Sequence, residues 1–193
     1  RPPRSTPLYS SAASDVYKRQ MQRLCVELSG LHTILPTVSG VADLVRAGTY
    51  AWPGPLTIIS GQAEKYDAFA AATVALAASG TVALELALSR VPAVVAYRLN
   101  PVTAWLVRRA VKVRYVNLVN ILLDRAAVPE LLQDDCTPDK LADALRILLR
   151  DEGARAAQLF DIDRVAAMLG QGGEKPSRRA AAAVLETIEG RPQ

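Results

Sequence analysis

Short runs of apolar residues alternate with stretches of helical periodicity from residue 21 to about residue 120. The apolar runs are four or five residues long and show little alternation with polar residues. This pattern is typical of parallel strands that are covered on both faces. The predicted strands are Leu31–Leu35, Leu56–Ile59, Val74–Ala78, Ala93–Tyr97 and Tyr115–Leu118.

Helical patterns fill the segments between the predicted strands and continue alone after the last one. Ser39 and Thr137 are suited to cap the helices that follow them. We expect helices at Ser39–Ala47, Glu64–Ala72, Thr81–Leu88, Pro101–Arg109, Pro138–Arg150, Glu152–Leu169 and Pro176–Ile188. The order predicts an α/β fold, a Rossmann-like parallel sheet with a helical carboxyl-terminal tail. Ligands of such folds bind beyond the carboxyl ends of the strands, here just after Ala78, Tyr97 and Leu118.

The composition supports one globular domain with additional segments at its ends. Half of the 193 residues are hydrophobic and 5% are aromatic, which suits helices packed on a parallel sheet. We divide the chain into a tail at residues 1–20, a Rossmann-like domain at 21–150 and carboxyl-terminal helices at 151–193. The tail has neither helical nor strand periodicity, so we expect it to be disordered or a cloning or sequence-assembly artefact.

The net charge of +4 favours a partner that carries phosphate groups, such as a nucleotide, a nucleic acid or an anionic lipid surface. Nucleic acid is the least favoured, because the basic residues are not interleaved with stacking aromatics. No apolar run approaches the roughly 20 residues that span a bilayer, so membrane contact is expected to be peripheral. The single histidine, His32, is interpreted as structural, which argues against a Ser-His-Asp hydrolase. Cys25 and Cys136 lie in no pair motif and predict neither a disulfide nor a zinc site.

The stretch from Ala77 to Glu85 carries the clearest chemical signal, because it runs from a predicted strand through a Ser-Gly turn into a helix. Gly80 permits close approach of a ligand, and the amides and dipole of the helix start favour a diphosphate. Ser79 and Thr81 add hydroxyl donors. Glu85 lies one turn beyond Thr81 on the same helix face, within reach of the vicinal hydroxyls of a sugar. The alternative interpretation is a plain N-cap at Ser79 and a solvent-exposed Glu85.

Two further polar groups lie near predicted strand or helix ends. Arg98 follows the strand that ends at Tyr97, where a guanidinium can meet a phosphate or a sugar acid group. The alternative interpretation of Arg98 is that it forms a surface ion pair. Asp134 and Asp135 lie at the approach to a helix, and we interpret them as capping or surface residues rather than metal ligands.

Four motifs follow one another between Ser79 and about Leu149: SGTVALE, VPAVVAYR, PVTAWLVRRAVKVRYVNLVN and VPELLQ. Together they resemble the carboxyl-terminal domain of the lipid-A-disaccharide synthases, which are inverting glycosyltransferases of the GT-B architecture. The similarity extends from about Met21 to the end of the chain. The resemblance implies that residues 21–150 bind a nucleotide sugar and form one half of a GT-B fold.

The resemblance also assigns individual residues to a donor site. Residues 79–81 and Glu85 would hold the diphosphate and ribose of a UDP-sugar. Glu130 and Gln133 would also bind substrate, while Arg98 and Asn120 would be catalytic. The alternative for Asn120 and the VPELLQ box is a loop amide and a capped helix start. The chain departs from the family where it has Leu-Val-Asn in place of the usual Leu-Pro-Asn. The full set is Ser79, Gly80, Thr81, Glu85, Arg98, Asn120, Glu130 and Gln133.

The reaction that the resemblance implies joins two acylated sugars. UDP-2,3-diacylglucosamine donates its sugar to the 6-hydroxyl of 2,3-diacylglucosamine 1-phosphate, giving a β-1,6 disaccharide and UDP with no metal or cofactor. Because both substrates carry acyl chains, we expect a cytoplasmic protein that is peripheral at the inner face of the bacterial inner membrane. The basic run Arg108–Arg114 is a candidate for contact with anionic lipid, and its alternative is a solvated helix end.

The sequence shows neither the family's Gly-Ser-Arg loop nor the preceding domain, which supplies acceptor contacts and an acidic base. We therefore expect an incomplete, donor-binding fragment that is inactive alone. Its carboxyl-terminal helices are expected to pack on the absent domain or on a second copy in a homo-oligomer. Two other classes stay open: another UDP-sugar GT-B transferase or epimerase, and a non-catalytic nucleotide-binding domain.

Overall fold

The computed structural model describes residues 23–28, 30–78, 80–99, 114–173, 176–188 and 190. The predicted tail at residues 1–20 and the predicted helix Pro101–Arg109 lie outside these residues. Ser79 and residues 108–113 of the basic run also lie outside them, so the predictions for these positions stay predictions.

Parallel strands form two small sheets in the part of the chain that the structure describes. The first sheet pairs β1 (Thr33–Pro36) with β2 (Leu56–Ile59). The second has the order β3 (Ala75–Ala77), β4 (Ala93–Tyr97) and β5 (Glu130–Leu132), with β4 in the middle. Parallel strands separated by helices confirm the predicted α/β class, although the strands divide between two sheets.

Helices follow most of the strands and make up the carboxyl-terminal part. Two 3-10 turns, Ser39–Val41 and Gln133–Asp135, supplement them. Within the described residues, no helix is long and apolar enough to cross a membrane. The helices are α1 (Ala42–Gly48), α2 (Gln62–Ala71), α3 (Thr81–Leu88), α4 (Leu118–Leu123), α5 (Pro138–Arg150), α6 (Glu152–Met168) and α7 (Pro176–Ile188).

The prediction of a last strand at Tyr115–Leu118 is wrong. The side chain of Asn117 accepts a hydrogen bond from the backbone N–H of Val119 at 2.9 Å, and this cap starts α4 at Leu118. The strand that pairs with β4 on the side opposite β3 is β5, which comes from the VPELLQ box. The alternative of a capped helix start for that box is therefore also wrong.

The central strand β4 is covered on both faces, as its unbroken apolar sequence predicts. Its residues 93–96 are each 5% exposed or less. Val94 and Ala96 pack with Leu24 against α5, whereas Val95 packs against α3 and α6. Full burial of one such valine contributes about 1.5–3 kcal/mol. This strand is therefore the centre of the core.

Gln158 joins α6 to the start of β4 through buried hydrogen bonds. Its Oε1 accepts from the N–H of Ala93 at 2.6 Å. Its Nε2 donates to the carbonyl of Ala93 at 3.1 Å and to that of Ala127 at 3.4 Å. Because β5 pairs with β4 only from Val95 onward, Gln158 supplies the hydrogen-bonding groups that a strand would offer at Ala93.

The strands of the first sheet are less buried than those of the second. No residue of β1 or β2 is fully buried. Helix α2 packs beside β1, and its Phe69 is buried in a cluster with Ala77 and Leu86 of the second sheet and α3. Phe69 is thus one of the side chains that connect the two halves.

A short helical segment at residues 23–27 lies against α5. Leu24 is buried there beside Leu141 and Leu145. The guanidinium of Arg146 donates to both carboxylate oxygens of Glu27, at 2.6 and 2.9 Å. These hydrogen bonds lower the pKa of Glu27, so the pair is charged at neutral pH.

Candidate functional site

The turn between β3 and α3 depends on a glycine in an unusual backbone conformation. Gly80 has φ 134° and ψ −158°, a combination that residues with a Cβ rarely adopt. A Cβ added at this position would meet nothing within 4 Å. The conformation, rather than crowding, therefore requires glycine, and the space beside it is open to a ligand. Thr81, the first residue of α3, is exposed next to this space.

Glu85 lies on α3 one turn after Thr81 and pairs with a lysine of α2. The Nζ of Lys65 donates to Oε2 of Glu85 at 2.8 Å. This hydrogen bond raises the pKa of Lys65. Lys65 has no signal in the sequence, because it lies twenty residues before Glu85 and only the fold brings the two together.

Glu130, the first residue of β5, anchors the segment that leads into α4. Its Oε2 accepts from the N–H of Val116 at 3.0 Å. Its Oε1 accepts from the N–H of Asn117 at 2.9 Å and from Nδ2 of Asn120 at 2.7 Å. Hydrogen bonds to a charged carboxylate are stronger than those between neutral groups. The side chain of Glu130 is therefore held by the protein's own backbone and by Asn120.

Asn120 is a buried amide with a complete set of hydrogen bonds, and it lies on α4 rather than in a loop. In addition to its bond to Glu130, its Nδ2 donates to the carbonyl of Val128 at 2.8 Å. Its Oδ1 accepts from the N–H groups of Ala127 at 2.9 Å and Val128 at 2.8 Å. An asparagine side chain offers two donor hydrogens and two acceptor lone pairs, and all are used here. The amide thus joins α4 to the segment before β5, and a catalytic role for it stays a prediction.

Arg98 and Gln133 lie at the carboxyl ends of two adjacent strands, β4 and β5. The Oε1 of Gln133 accepts from the N–H of Leu99 at 3.3 Å, which ties the two strand ends together. Arg98 is exposed. Burial raises the pKa of the Cys136 thiol, and the positive charge of Arg98 opposes this shift.

Apart from Glu85, which lies on α3, the predicted site residues that the structure describes fall into two groups. Gly80, Thr81, Arg98 and Gln133 follow strands of the second sheet at its carboxyl edge. Asn120 and Glu130 lie deeper, because Glu130 is level with Val95 in the middle strand. The structure thus brings the expected phosphate-binding groups to one edge and places the asparagine and the glutamate behind them.

Three other features of the described residues bear on the chemistry. No group of three or more His, Cys, Asp or Glu side chains is placed to hold a metal ion in the part of the chain that the structure describes. Asp135 forms an ion pair with Lys140 at 2.5 Å, which agrees with its interpretation as a surface residue. A cleft of about 280 Å³ lies between α2 and the first sheet, but no predicted site residue lines it.

The parallel strands, the intervening helices and the glycine-led start of α3 define a Rossmann-like α/β protein. A model of the lipid-A-disaccharide synthetase family matches residues 13–184 of the chain. The chain belongs to this family. The resemblance seen in the four sequence motifs is therefore confirmed.

Curated relatives agree with this assignment, and each is named lipid-A-disaccharide synthase. The protein of Rhodospirillum centenum is 60% identical over 158 residues, which cover 82% of this chain and 39% of that protein. The protein of Paramagnetospirillum magneticum is 52% identical over 160 residues, covering 82% and 41%. The protein of Bradyrhizobium diazoefficiens is 41% identical over 174 residues, covering 90% and 44%. The chain thus spans about two fifths of the length of these relatives.

Proposed function

We propose that this chain is the nucleotide-sugar-binding half of an inverting glycosyltransferase of lipid A biosynthesis. In the proposed reaction, the 6-hydroxyl of 2,3-diacylglucosamine 1-phosphate attacks the anomeric carbon of UDP-2,3-diacylglucosamine, and UDP leaves from the opposite face. The observation that carries the proposal is the start of α3, where Gly80 opens a space beside Thr81 and Glu85 follows one turn later. Relatives named lipid-A-disaccharide synthase support it.

The start of α3 is suited to the diphosphate of the donor. The first N–H groups of a helix have no partner within the helix, and the helix dipole places partial positive charge at the same point. The exposed Thr81 adds a hydroxyl donor. Such groups stabilise an anion before and after bond cleavage without having to reorganise. They would therefore favour departure of UDP.

Arg98 is the second group that we assign to the leaving UDP. It is exposed at the end of β4, the strand adjacent to β3, so that it and the start of α3 share one edge of the sheet. A guanidinium can bind phosphate oxygens through two parallel hydrogen bonds. We assign Gln133 to the same edge, where its bond to the N–H of Leu99 supports the segment after Arg98.

Asn120 and Glu130 support this edge from behind in the proposed site. Their hydrogen bonds to each other, to Val116 and to Asn117 set the course of the backbone that enters α4. A buried polar network with every group paired fixes one conformation. Contact of either side chain with the donor sugar would require a rearrangement of these bonds on binding.

The acceptor contacts and the carboxylate base are proposed to come from the remainder of a longer protein, since the chain spans about two fifths of its relatives. That protein would work at the cytoplasmic face of the inner membrane, where acylated substrates are held. Helix α7 exposes Val184, Leu185 and Ile188. This apolar surface suits packing on that remainder or on a second copy of the chain.

Calorimetric titration of the chain with UDP tests the proposal. We expect saturable binding, and we expect Glu85→Gln to weaken it about tenfold, because a hydrogen bond to a charged group contributes about 1.5–3 kcal/mol. Glu186→Gln is the matched control, since it removes the same charge from an exposed position on α7. Absence of heat with the unmodified chain, or equal affinities for the two variants, would contradict the assigned donor site.

A further inference from the structure

Lys65 of α2 and Glu85 of α3 form an ion pair that joins the two helices. The Nζ···Oε2 distance is 2.8 Å, and the side chains are 20% and 32% exposed. The two residues lie on separate helices and twenty positions apart in the sequence, so the contact is not a local one within a helix. The pair is therefore a product of the tertiary fold and holds one carboxylate oxygen in a defined place.

Aromatic rings define the position of the ammonium group as well. Nζ of Lys65 lies 4.8 Å from the centre of the Tyr66 ring and 5.9 Å from that of Phe69. The two rings pack edge to face, with their centres 5.9 Å apart. Phe69 is itself buried against Leu86 of α3. An ammonium held between a carboxylate and ring faces is more restricted than a lysine in an ordinary surface ion pair.

We propose that Lys65 is a positioning residue that orients Glu85 for the ribose of the nucleotide. Oε2 accepts a hydrogen bond from the lysine. In the proposed arrangement Oε1 accepts hydrogen bonds from the ribose hydroxyls. The inference rests on the proposed function, in which Glu85 binds the ribose. It adds a residue of α2 to a site that otherwise consists of residues 79 and beyond.

Two physical effects give Lys65 this role. A glutamate side chain has three rotatable bonds, and fixing it before the ligand arrives reduces the entropy lost on binding. In addition, the carboxylate of Glu85 lies one turn from the proposed diphosphate position and would repel that anion. The adjacent positive charge of Lys65 offsets the repulsion. Both effects act on the nucleotide through Glu85 rather than by direct contact.

The test compares UDP with its 2′-deoxy analogue by calorimetric titration. We expect the unmodified chain to prefer UDP by about tenfold, the effect of one hydrogen bond to a charged group. Lys65→Met keeps the length of the side chain but removes its charge, and we expect it to bring this preference close to one. Lys65→Arg should restore most of the preference, and Lys65→Met combined with Glu85→Gln should show no further loss.

Arg46→Met is the matched control, because it breaks an exposed ion pair with Asp43 on α1 and should leave the preference unchanged. Circular dichroism checks that each variant is folded, and Lys65→Gln replaces Lys65→Met if the latter is not. A preference for UDP that persists in the folded lysine variant overturns the inference, even if the affinities for both nucleotides fall equally, because such a loss reflects the charge of Lys65 and not the orientation of Glu85. If the unmodified chain binds UDP without preferring it to the deoxy analogue, the ribose assignment fails and the inference with it. If the unmodified chain binds neither nucleotide, the proposed function itself fails.

Discussion

The two sheets differ in how completely they are covered. Residues 93–96 of β4 are at most 5% exposed, whereas no residue of β1 or β2 is fully buried. The groups proposed to bind the donor lie on the well-covered sheet, and Lys65, on the helix beside the first sheet, reaches them through Glu85. In the proposed site, the well-covered sheet thus holds most of the polar groups in place, and the less covered part contributes a single side chain.

The largest expected effect comes from the buried network behind β5. Asn120→Asp keeps the acceptor for the N–H groups of Ala127 and Val128, but it puts an oxygen in place of Nδ2, which lies 2.7 Å from Glu130. A buried carboxylate and a half-buried one at this distance cannot both be ionised at low cost, so we expect a loss of about 3–5 kcal/mol in the free energy of unfolding at pH 7.

The pH dependence of that variant has a definite sign. The pKa of one of the two carboxyl groups rises in the folded state, so the folded chain binds more protons than the unfolded chain, and stability increases as the pH falls. Urea unfolding at two pH values measures both the loss of stability at pH 7 and its dependence on pH. The comparison variant is His32→Ala, just before β1, which removes an exposed hydrogen bond to Thr57 of β2 and should cost less than about 0.5 kcal/mol. A similar loss in both variants would contradict the difference between the sheets.

A smaller effect is expected from apolar truncations in the two sheets. Val95→Ala removes two methyl groups from a residue that is 0% exposed, and we expect a loss of about 2–3 kcal/mol from burial and the cavity left behind. Ile58→Ala removes more carbon from a half-buried residue, yet we expect only about 1 kcal/mol. Thermal or urea unfolding measures both. An equal or larger loss at Ile58 would show that the first sheet carries more of the core than its exposure indicates.

The smallest effect on stability is expected from the ion pair between Glu27, in the helical segment at residues 23–27, and Arg146 of α5. Arg146 lowers the pKa of Glu27, so this ion pair adds stability above the ordinary glutamate pKa of 4.5, and the contribution is lost as the pH falls through the lowered value. Glu27→Gln should therefore be slightly less stable than the unmodified chain at pH 7 and equal to it in acid. Unfolding curves at both pH values check this, and a difference that persists in acid would assign the effect to packing instead of charge.

The helices and strands that the sequence predicts correctly are those marked by residues within them or directly beside them in the sequence. The bounds of β2, α3, β4 and α7 match the predictions residue for residue, because unbroken apolar runs mark the two strands, Gly80 precedes α3 and a proline begins α7. The glycine at the start of α3 also follows from local sequence, since a strand, a Ser-Gly turn and a helix are contiguous there.

Elements that depend on distant partners could not be predicted. β5 has three residues and is a strand only because they pair with residues 95–97 of β4. The sequence of Tyr115–Leu118 predicts a strand, but the side chain of Asn117 caps the helix α4, which begins at Leu118. For the same reason the contact of Lys65 with Glu85 has no sequence signal, since packing of α2 beside α3 creates it.

The amide of Gln158 has a consequence for the tolerance of α6 to changes in length. It matches the N–H and the carbonyl of a single residue, Ala93, at the same time, so only one rotational setting of the helix satisfies both. One residue inserted between Asp151 and Gln158 would swing the amide round the helix axis by about 100°. Such an insertion leaves the composition almost untouched, yet it would uncouple the helix from the strand more thoroughly than most point substitutions on its surface.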